Sequence, residues 1–325
     1  MPKNRPEDRE FFIVAPAKVN LLLSVDWNVE NGRHPVTTVM QAISLCDRMH
    51  AKVVWDKKNP GVSIDLKPYH GVQCADIPLE DNLVYKAIMA FVNHIGKPLE
   101  DRISIELQKG IPSQSGFGGG SSDCAVAIAF MAMLYGLEPT GEEAYAVARE
   151  LGTDIAFFLR GGTALLSGYG DVYEGTLPSP NMYFVVARPN VGLGTGDVYR
   201  KFDELNAGKP RGDKPERDAK TKELVDALRN EAPAKNLASL LLNNLQEPAC
   251  EIEPEVAHVI YDLRSQPEVL NAMISGSGSA SFGVCESRED AARAASRMRE
   301  LGWWALDCQS VPCGVNISTT MQPEI

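Results

Sequence analysis

The chain lacks any unbroken apolar run of the roughly 18 residues that a membrane-crossing helix requires. It also lacks positive charge in excess: 43 acidic against 32 basic side chains give a formal net charge of -11. The first absence argues against a transmembrane segment. The second argues against binding to nucleic acid polymers or to anionic membrane surfaces, while leaving single nucleotides open. Cysteine pairs are missing too. The seven cysteines (46, 74, 124, 250, 285, 308 and 313) are odd in number and scattered, with no CxxC and no Cys/His ligand spacing. Neither a disulfide framework nor a cysteine-held metal is expected, and reduced, mostly buried thiols fit a cytosolic protein. Met1 to Glu10 is charged without an apolar core, so no signal peptide is expected. What remains is a soluble, cytoplasmic chain of 325 residues, 44% hydrophobic and 23% charged, long enough for two domains.

One further absence is local. Residues 109 to 134 read KGIPSQSGFGGGSSDCAVAIAFMAML, with glycines at 116, 118, 119 and 120. Ser121 or Ser122 is a good N-cap, and Cys124 to Leu134 reads as a buried helix. Such a loop lets a ligand approach the main chain, and the helix end offers free amides and a positive dipole to a phosphate. A tight strand-to-helix turn without a ligand is the alternative. No lysine stands between Gly110 and Asp123, which excludes a Walker loop. Pro112 interrupts the approach and Ser121 replaces the last glycine of the dinucleotide fingerprint, so a Rossmann oxidoreductase is the weaker reading.

Around this loop the pattern predicts mixed α and β structure. FFIVAPAKVNLLLSV (11 to 25) is strand-like and broken at Pro16, and its alternation puts Lys18 and Asn20 on one face. NGRHP (31 to 35) is turn chemistry, where His34 by itself reads as a loop residue. Residues 49 to 68 suggest a hairpin turning at 59 to 61. Asp81 or Asn82 caps a helix over 83 to 95, and a strand over 103 to 107 delivers the glycine loop. A helix over 142 to 151 ends at Gly152. Asp154 follows, just before IAFFL, as either a turn residue or a buried functional carboxylate. From Met182 the units become strand-helix-strand, with a polar stretch at 206 to 220 that reads as a loop. Helical patterns cover 221 to 230, 235 to 243 and 254 to 265. A second glycine run, GSGSA (276 to 280), is either a tight turn or a flap over a nucleotide.

Three separated motifs, PAKVNLLL, PSQSGFGGGSSD and MISGSGSASFGV, stand in an order that resembles the GHMP kinase superfamily. The NGRH turn, GTDIAFF and NNLQEPA (243 to 249) strengthen the likeness, which covers nearly the whole chain. The resemblance implies an α+β fold of two domains. An N-terminal domain (1 to 181), like the second domain of ribosomal protein S5, would precede a ferredoxin-like C-terminal domain (182 to 325). It implies ATP and Mg²⁺, with no all-protein metal site. It also implies phosphorylation of an alcohol, in first place the 2-hydroxyl of a cytidyl-diphosphate-linked methylerythritol of isoprenoid precursor synthesis. Homoserine or mevalonate would be the acceptor in the nearest rival, and a non-catalytic nucleotide-binding module is the rival of another class.

Carried onto this sequence, Lys18 and Asp154 would flank the acceptor hydroxyl. Asn82, Lys109, Pro112, Gly116, Phe117, Gly118, Gly119, Gly120, Ser121 and Ser122 would hold ATP. Asn20, Arg33, His34, Thr195 and Tyr199 would surround the acceptor, with Tyr199 stacking on cytosine and His34 reading its edge. Three positions depart from the family pattern. Arg33 stands where a tyrosine stacks on cytosine, Ala156 replaces a proline, and Gly192 to Gly196 replace an SxPTP-like segment. The expected partners are small molecules, with no nucleic acid polymer and no membrane; a homodimer is left open.

Overall fold

The computed structural model describes residues 8–75, 77–207 and 214–320. Aliphatic and β-branched residues dominate the first fifty, and they form two long antiparallel strands, β1 (Asp8–Val25) and β2 (Val36–Trp55). Asn31 and Gly32 take positive φ in the turn between them, as the NGRH sequence predicts. Pro16 does not break β1. The register instead shifts at Pro16/Ala17 and again at Asn20/Leu22. Phe11, Ile13 and Ala15 serve one core, and Ala17, Val19 and Leu21 serve another, so the handover falls at the first shift.

The expected hairpin over 49 to 68 is not formed. β3 (Gly61–Pro68) pairs in parallel with β4 (Asp101–Lys109), and β4 lies between it and β2. β4 buries Ile103, Ile105 and Leu107, whereas β3 is half exposed, so the more apolar strand takes the interior place. A parallel pair needs a crossover, and α1 (Leu83–Ile95) supplies it. Asn82 caps α1 by accepting from the Val84 amide at 2.9 Å. α2 (Gly119–Leu134) is apolar on every side, which places it at the centre of a layer with α1, α3 (Glu142–Leu151) and α4 (Thr153–Arg160). β5 (Thr163–Ser167) and β6 (Val172–Leu177) extend the sheet from β2.

A second sheet begins at β7 (Tyr183–Arg188). The chain continues through α5 (Thr195–Asn206), α6 (Lys214–Arg229), α7 (Ala234–Ser239), the short β8 (Leu242–Asn243), α8 (Gln246–Ile252) and α9 (Pro254–Arg264). β9 (Val269–Ile274), β10 (Ser281–Cys285), α10 (Arg288–Glu300), β11 (Trp304–Gln309) and β12 (Asn316–Ser318) complete it. The antiparallel order β11-β7-β10-β9, with α9 and α10 packed on it, is the ferredoxin-like arrangement. β8 and β12 instead pair with β1 in the first sheet. The helix expected over 235 to 243 stops at Ser239, because Leu242 and Asn243 join β1. Of the polar stretch, 208 to 213 lies outside the described residues, and α6 already begins at Lys214. Its charged residues are compatible with a helix, so low hydrophobicity there does not mean a loop.

Candidate active site

Three segments far apart in sequence meet at the second register shift of β1. The Lys18 amide donates to the Phe117 carbonyl at 2.9 Å, which ties β1 to the glycine loop. The Lys18 ammonium donates to Asn20 Oδ1 at 2.6 Å, and the Gly276 amide donates to the same oxygen at 2.9 Å. Asn20 in turn donates to Thr38 Oγ1 at 2.8 Å, and Thr38 donates to the Leu22 carbonyl at 2.7 Å. Lys18 and Asn20 thus share a face, as alternation requires, and both are buried. The second glycine run packs on the first: Ser275 Oγ donates to the Gly116 carbonyl at 3.0 Å. It is more than a β turn.

Gly118 serves as N-cap of α2 with φ of 77°, in the left-handed region that glycine favours. The helix therefore starts five residues before Cys124, and neither Ser121 nor Ser122 caps it. With no side-chain cap, its first amides point out of the helix end beside the loop. They open on a cavity of about 750 Å³. Lys18, Asn20, Asn82, Lys109, Pro112, Gly116, Gly118 to Ser121, Asp154, Thr195 and Tyr199 all reach its wall.

Four expected site residues do not reach that wall. The Phe117 ring is fully buried among residues of both sheets, so only its backbone serves the loop. Ser122 is buried in the first turn of α2. His34 has both ring nitrogens engaged, Nδ1 with the Asp26 carbonyl at 2.7 Å and Nε2 with the exposed Asp203 carboxylate at 3.0 Å. Arg33 is exposed, its guanidinium 5.8 Å from the centre of the Tyr169 ring.

Asp154 lies in the first turn of α4, half buried, where the helix dipole favours a carboxylate. It is close enough to act electrostatically on two groups. Burial pushes the Lys18 ammonium below the usual lysine range, and the Asp154 carboxylate works against that. Burial pushes the Tyr199 phenol up to about 12, and the same carboxylate adds to the rise.

A charged cluster at the base of the loop escapes sequence reasoning. The Lys109 ammonium is held by Asp47 and Asp123 together. Burial disfavours its charge, but the Asp123 and Asp47 carboxylates outweigh that and hold Lys109 above the usual range. Asp123 is pushed up by burial against the pull of Lys109, with Asp47 adding to the rise. The other Asp47 oxygen accepts from the Gly110 and Ile111 amides at 2.6 and 2.8 Å. Asp47 thus joins the end of β4 to the start of α2. Asp47→Ala should cost about 3 kcal/mol, the lower end for breaking a buried ion pair, because Asp123 still partners Lys109. Urea unfolding checks this, and a loss below about 1 kcal/mol would mean the cluster does not brace the loop.

Among the described residues no group of three or more His, Cys, Asp and Glu is arranged to hold a metal ion. One oxygen nonetheless suits Mg²⁺ carried in on phosphates. Asp123 reaches the cavity wall, and its Oδ1 is buried without a hydrogen-bond partner. No helix of the described residues is long and apolar enough to cross a membrane.

A cavity with a glycine-capped helix end, a buried lysine and a carboxylate is the equipment of a phosphotransferase, and the fold agrees. Residues 82–162 match the GHMP kinases N terminal domain, and residues 222–302 match the GHMP kinases C terminal domain. The chain belongs to the GHMP kinases. Within that family it is similar to 4-diphosphocytidyl-2-C-methyl-D-erythritol kinases. One from Desulfitobacterium hafniense (strain Y51) is 33% identical over 292 residues, covering 88% of this chain and 91% of that protein. A crystal structure of 4-(cytidine 5'-diphospho)-2C-methyl-D-erythritol kinase superposes with a TM-score of 0.71 at 30% identity, covering 93% of this chain and 98% of the other. Homoserine kinase from Cytophaga hutchinsonii shares the fold, with a TM-score of 0.69 at 20% identity over 98% and 99% of the two chains.

Proposed function

We infer that this chain transfers the γ-phosphoryl group of ATP to the 2-hydroxyl of 4-diphosphocytidyl-2-C-methyl-D-erythritol, a step of non-mevalonate isoprenoid synthesis. The observation that carries the reading is the meeting of Lys18, Asp154 and the capped end of α2 on one cavity wall. The α2 amides and the Gly116 to Ser121 backbone hold the phosphates. Asp154 accepts the proton of the acceptor hydroxyl as its oxygen attacks phosphorus. Lys18, fixed by Asn20, offsets charge on the transferring group. Thr195 and Tyr199 border the acceptor from the second half of the chain. Asp123 is the group of this chain that would hold Mg²⁺ brought in with ATP, and the ion would supply charge neutralisation at the phosphates. The domain boundary is taken at 181/182, where β7 opens the second sheet. A cytoplasmic setting belongs with this reading, since ATP is there and all seven cysteines are free thiols.

The test is ADP release with Mg-ATP and an acceptor panel: the cytidyl-diphosphate compound, its uridine analogue, free methylerythritol, homoserine and mevalonate. Turnover confined to the cytidyl compound is expected. Turnover with homoserine or mevalonate alone would keep the kinase and discard this acceptor, and silence with every acceptor would point to a binding module.

Lys18 also sets a pH dependence. Its role needs the protonated form, which is lost as pH rises through the pKa, and burial brings that pKa below the ordinary value of about 10.4. Turnover should therefore fall on the alkaline side earlier than for an exposed lysine. Lys18→Arg, charged throughout, should be slower but lack that limb in the pH profile of kcat. An unchanged limb would assign it to another group.

A further inference from the structure

The two asparagines that open NNLQEPA (243 to 249) are neighbours in sequence but serve different sheets. Asn244 serves the first. Its Oδ1 accepts from the Val25 amide and its Nδ2 donates to the Val25 carbonyl, both at 2.9 Å, at the end of β1. β8 places Asn243 opposite Leu23 of the same strand, yet its side chain turns to the second sheet. Nδ2 donates to the Ile274 carbonyl at 3.2 Å, at the end of β9, and to the Gly276 carbonyl at 2.8 Å. Oδ1 accepts from the Leu245 amide at 3.0 Å. Both hydrogens and the oxygen of this buried amide are therefore in use.

Gly276 is gripped from two sides as a result. Its carbonyl receives the Asn243 amide group, and its own amide donates to Asn20 Oδ1, the atom that also accepts from the Lys18 ammonium. The fit there is close: φ of Gly276 is 56°, and a Cβ built on it would stand 3.2 Å from the Lys18 nitrogen. A peptide amide and an ammonium share one oxygen, so a shift of the amide changes where that oxygen sits and how well it receives the ammonium. Asn243 itself is not on the cavity wall. We propose that Asn243 is a positioning residue for phosphoryl transfer: by fixing Gly276 it fixes Asn20, and through Asn20 the Lys18 ammonium. The pair then divides its work, with Asn244 bracing β1 and Asn243 setting the second glycine run.

This role rests on the catalytic part given to Lys18 above, not on which alcohol is the acceptor. Asn243→Ala and Asn244→Ala are compared with the parent chain for kcat, KM of ATP and of the acceptor, the pH profile of kcat, and urea unfolding. Each loses hydrogen bonds from inside the fold, so both should unfold at lower urea. Only Asn243→Ala should lower kcat, by about tenfold or more, on the way to the roughly 100-fold that a misplacement on the order of 1 Å costs. Both KM values should stay within about threefold. Its alkaline limb should move to lower pH, because an ammonium that loses a well-placed acceptor is less favoured in its charged form. Asn244→Ala should keep kcat within about twofold of the parent and leave the limb in place. If Asn243→Ala fails to fold, Asn243→Asp keeps the acceptor for the Leu245 amide and loses the two donors, and its kcat should fall likewise. Equal losses of kcat in Asn243→Ala and Asn244→Ala would make the pair a general brace and overturn the inference. So would a kcat within about threefold of the parent in the folded Asn243 variant. Lys18→Arg separates the remaining failures. A limb that survives in it belongs to another group and overturns the reading of Lys18, whereas a limb lost in it but unmoved in Asn243→Ala overturns this inference alone.

Discussion

Asp154→Asn lowers turnover by about 100-fold or more while leaving ATP affinity close to that of the parent chain; this is the expected result, and it separates chemistry from binding. The amide keeps the shape of the side chain and its place in the first turn of α4, where no side-chain cap depends on it. What it loses is the ability to take a proton at the attacking oxygen. General bases contribute roughly 10²- to 10⁴-fold to such steps, so the lower end is a conservative figure. On the proposed reading the nucleotide phosphates would lie against the α2 end, which the substitution does not touch. Removing a negative charge also leaves the Lys18 ammonium with burial unopposed, so its pKa should fall further. The alkaline limb of any residual activity should therefore move to lower pH. The readouts are single-turnover rate, ATP affinity by titration, and the pH profile. A rate within threefold of the parent would remove Asp154 from the proton path and leave the reaction to positioning and charge alone.

The parts of this site that lie within one element were legible in the sequence. Alternation along β1 placed Lys18 beside Asn20, Asn82 capped α1, and the glycines preceded a buried helix. Contacts across elements were not. Asp47 lies 62 residues before Lys109, and the local hint was no more than an acid in the strand segment ISLCDRM. The contacts of the His34 ring with the Asp26 carbonyl and with Asp203 on α5 likewise carried no local sign. The pairing of β3 with β4 could not be read locally either. A hairpin and a parallel crossover offer similar apolar patterns, and burial of β4 decided between them. The start of α2 was not legible, because the Gly118 cap depends on backbone conformation and not on a polar side chain.

Gly116→Ala should damage both stability and turnover, for a reason that involves both glycine runs. Gly116 has φ of 81°, where any other residue is strained by about 1–2 kcal/mol. A Cβ built there would lie 2.0 Å from the Ser275 carbonyl oxygen and 2.9 Å from its carbon, both backbone atoms that cannot rotate away. The loop and the 275–280 segment must then separate. That movement breaks the Ser275 bond to the Gly116 carbonyl and pulls on Gly276, whose amide helps hold Asn20 and through it Lys18. Strain and lost contacts together should cost about 3 kcal/mol or more. A displacement on the order of 1 Å at Lys18 should slow transfer by about 100-fold. Gly175→Ala is the control, since Gly175 has no atom within 4 Å of an added Cβ and no positive φ. It should leave both properties within error of the parent. The discriminating comparison is urea unfolding alongside turnover for the two variants. If Gly116→Ala lost ATP affinity but kept its stability, the loop would be free of the second run, and Ser275 to Ala280 would play no part in holding Lys18. If both fell together, the second glycine run would count as part of the catalytic frame, a place its sequence left undecided.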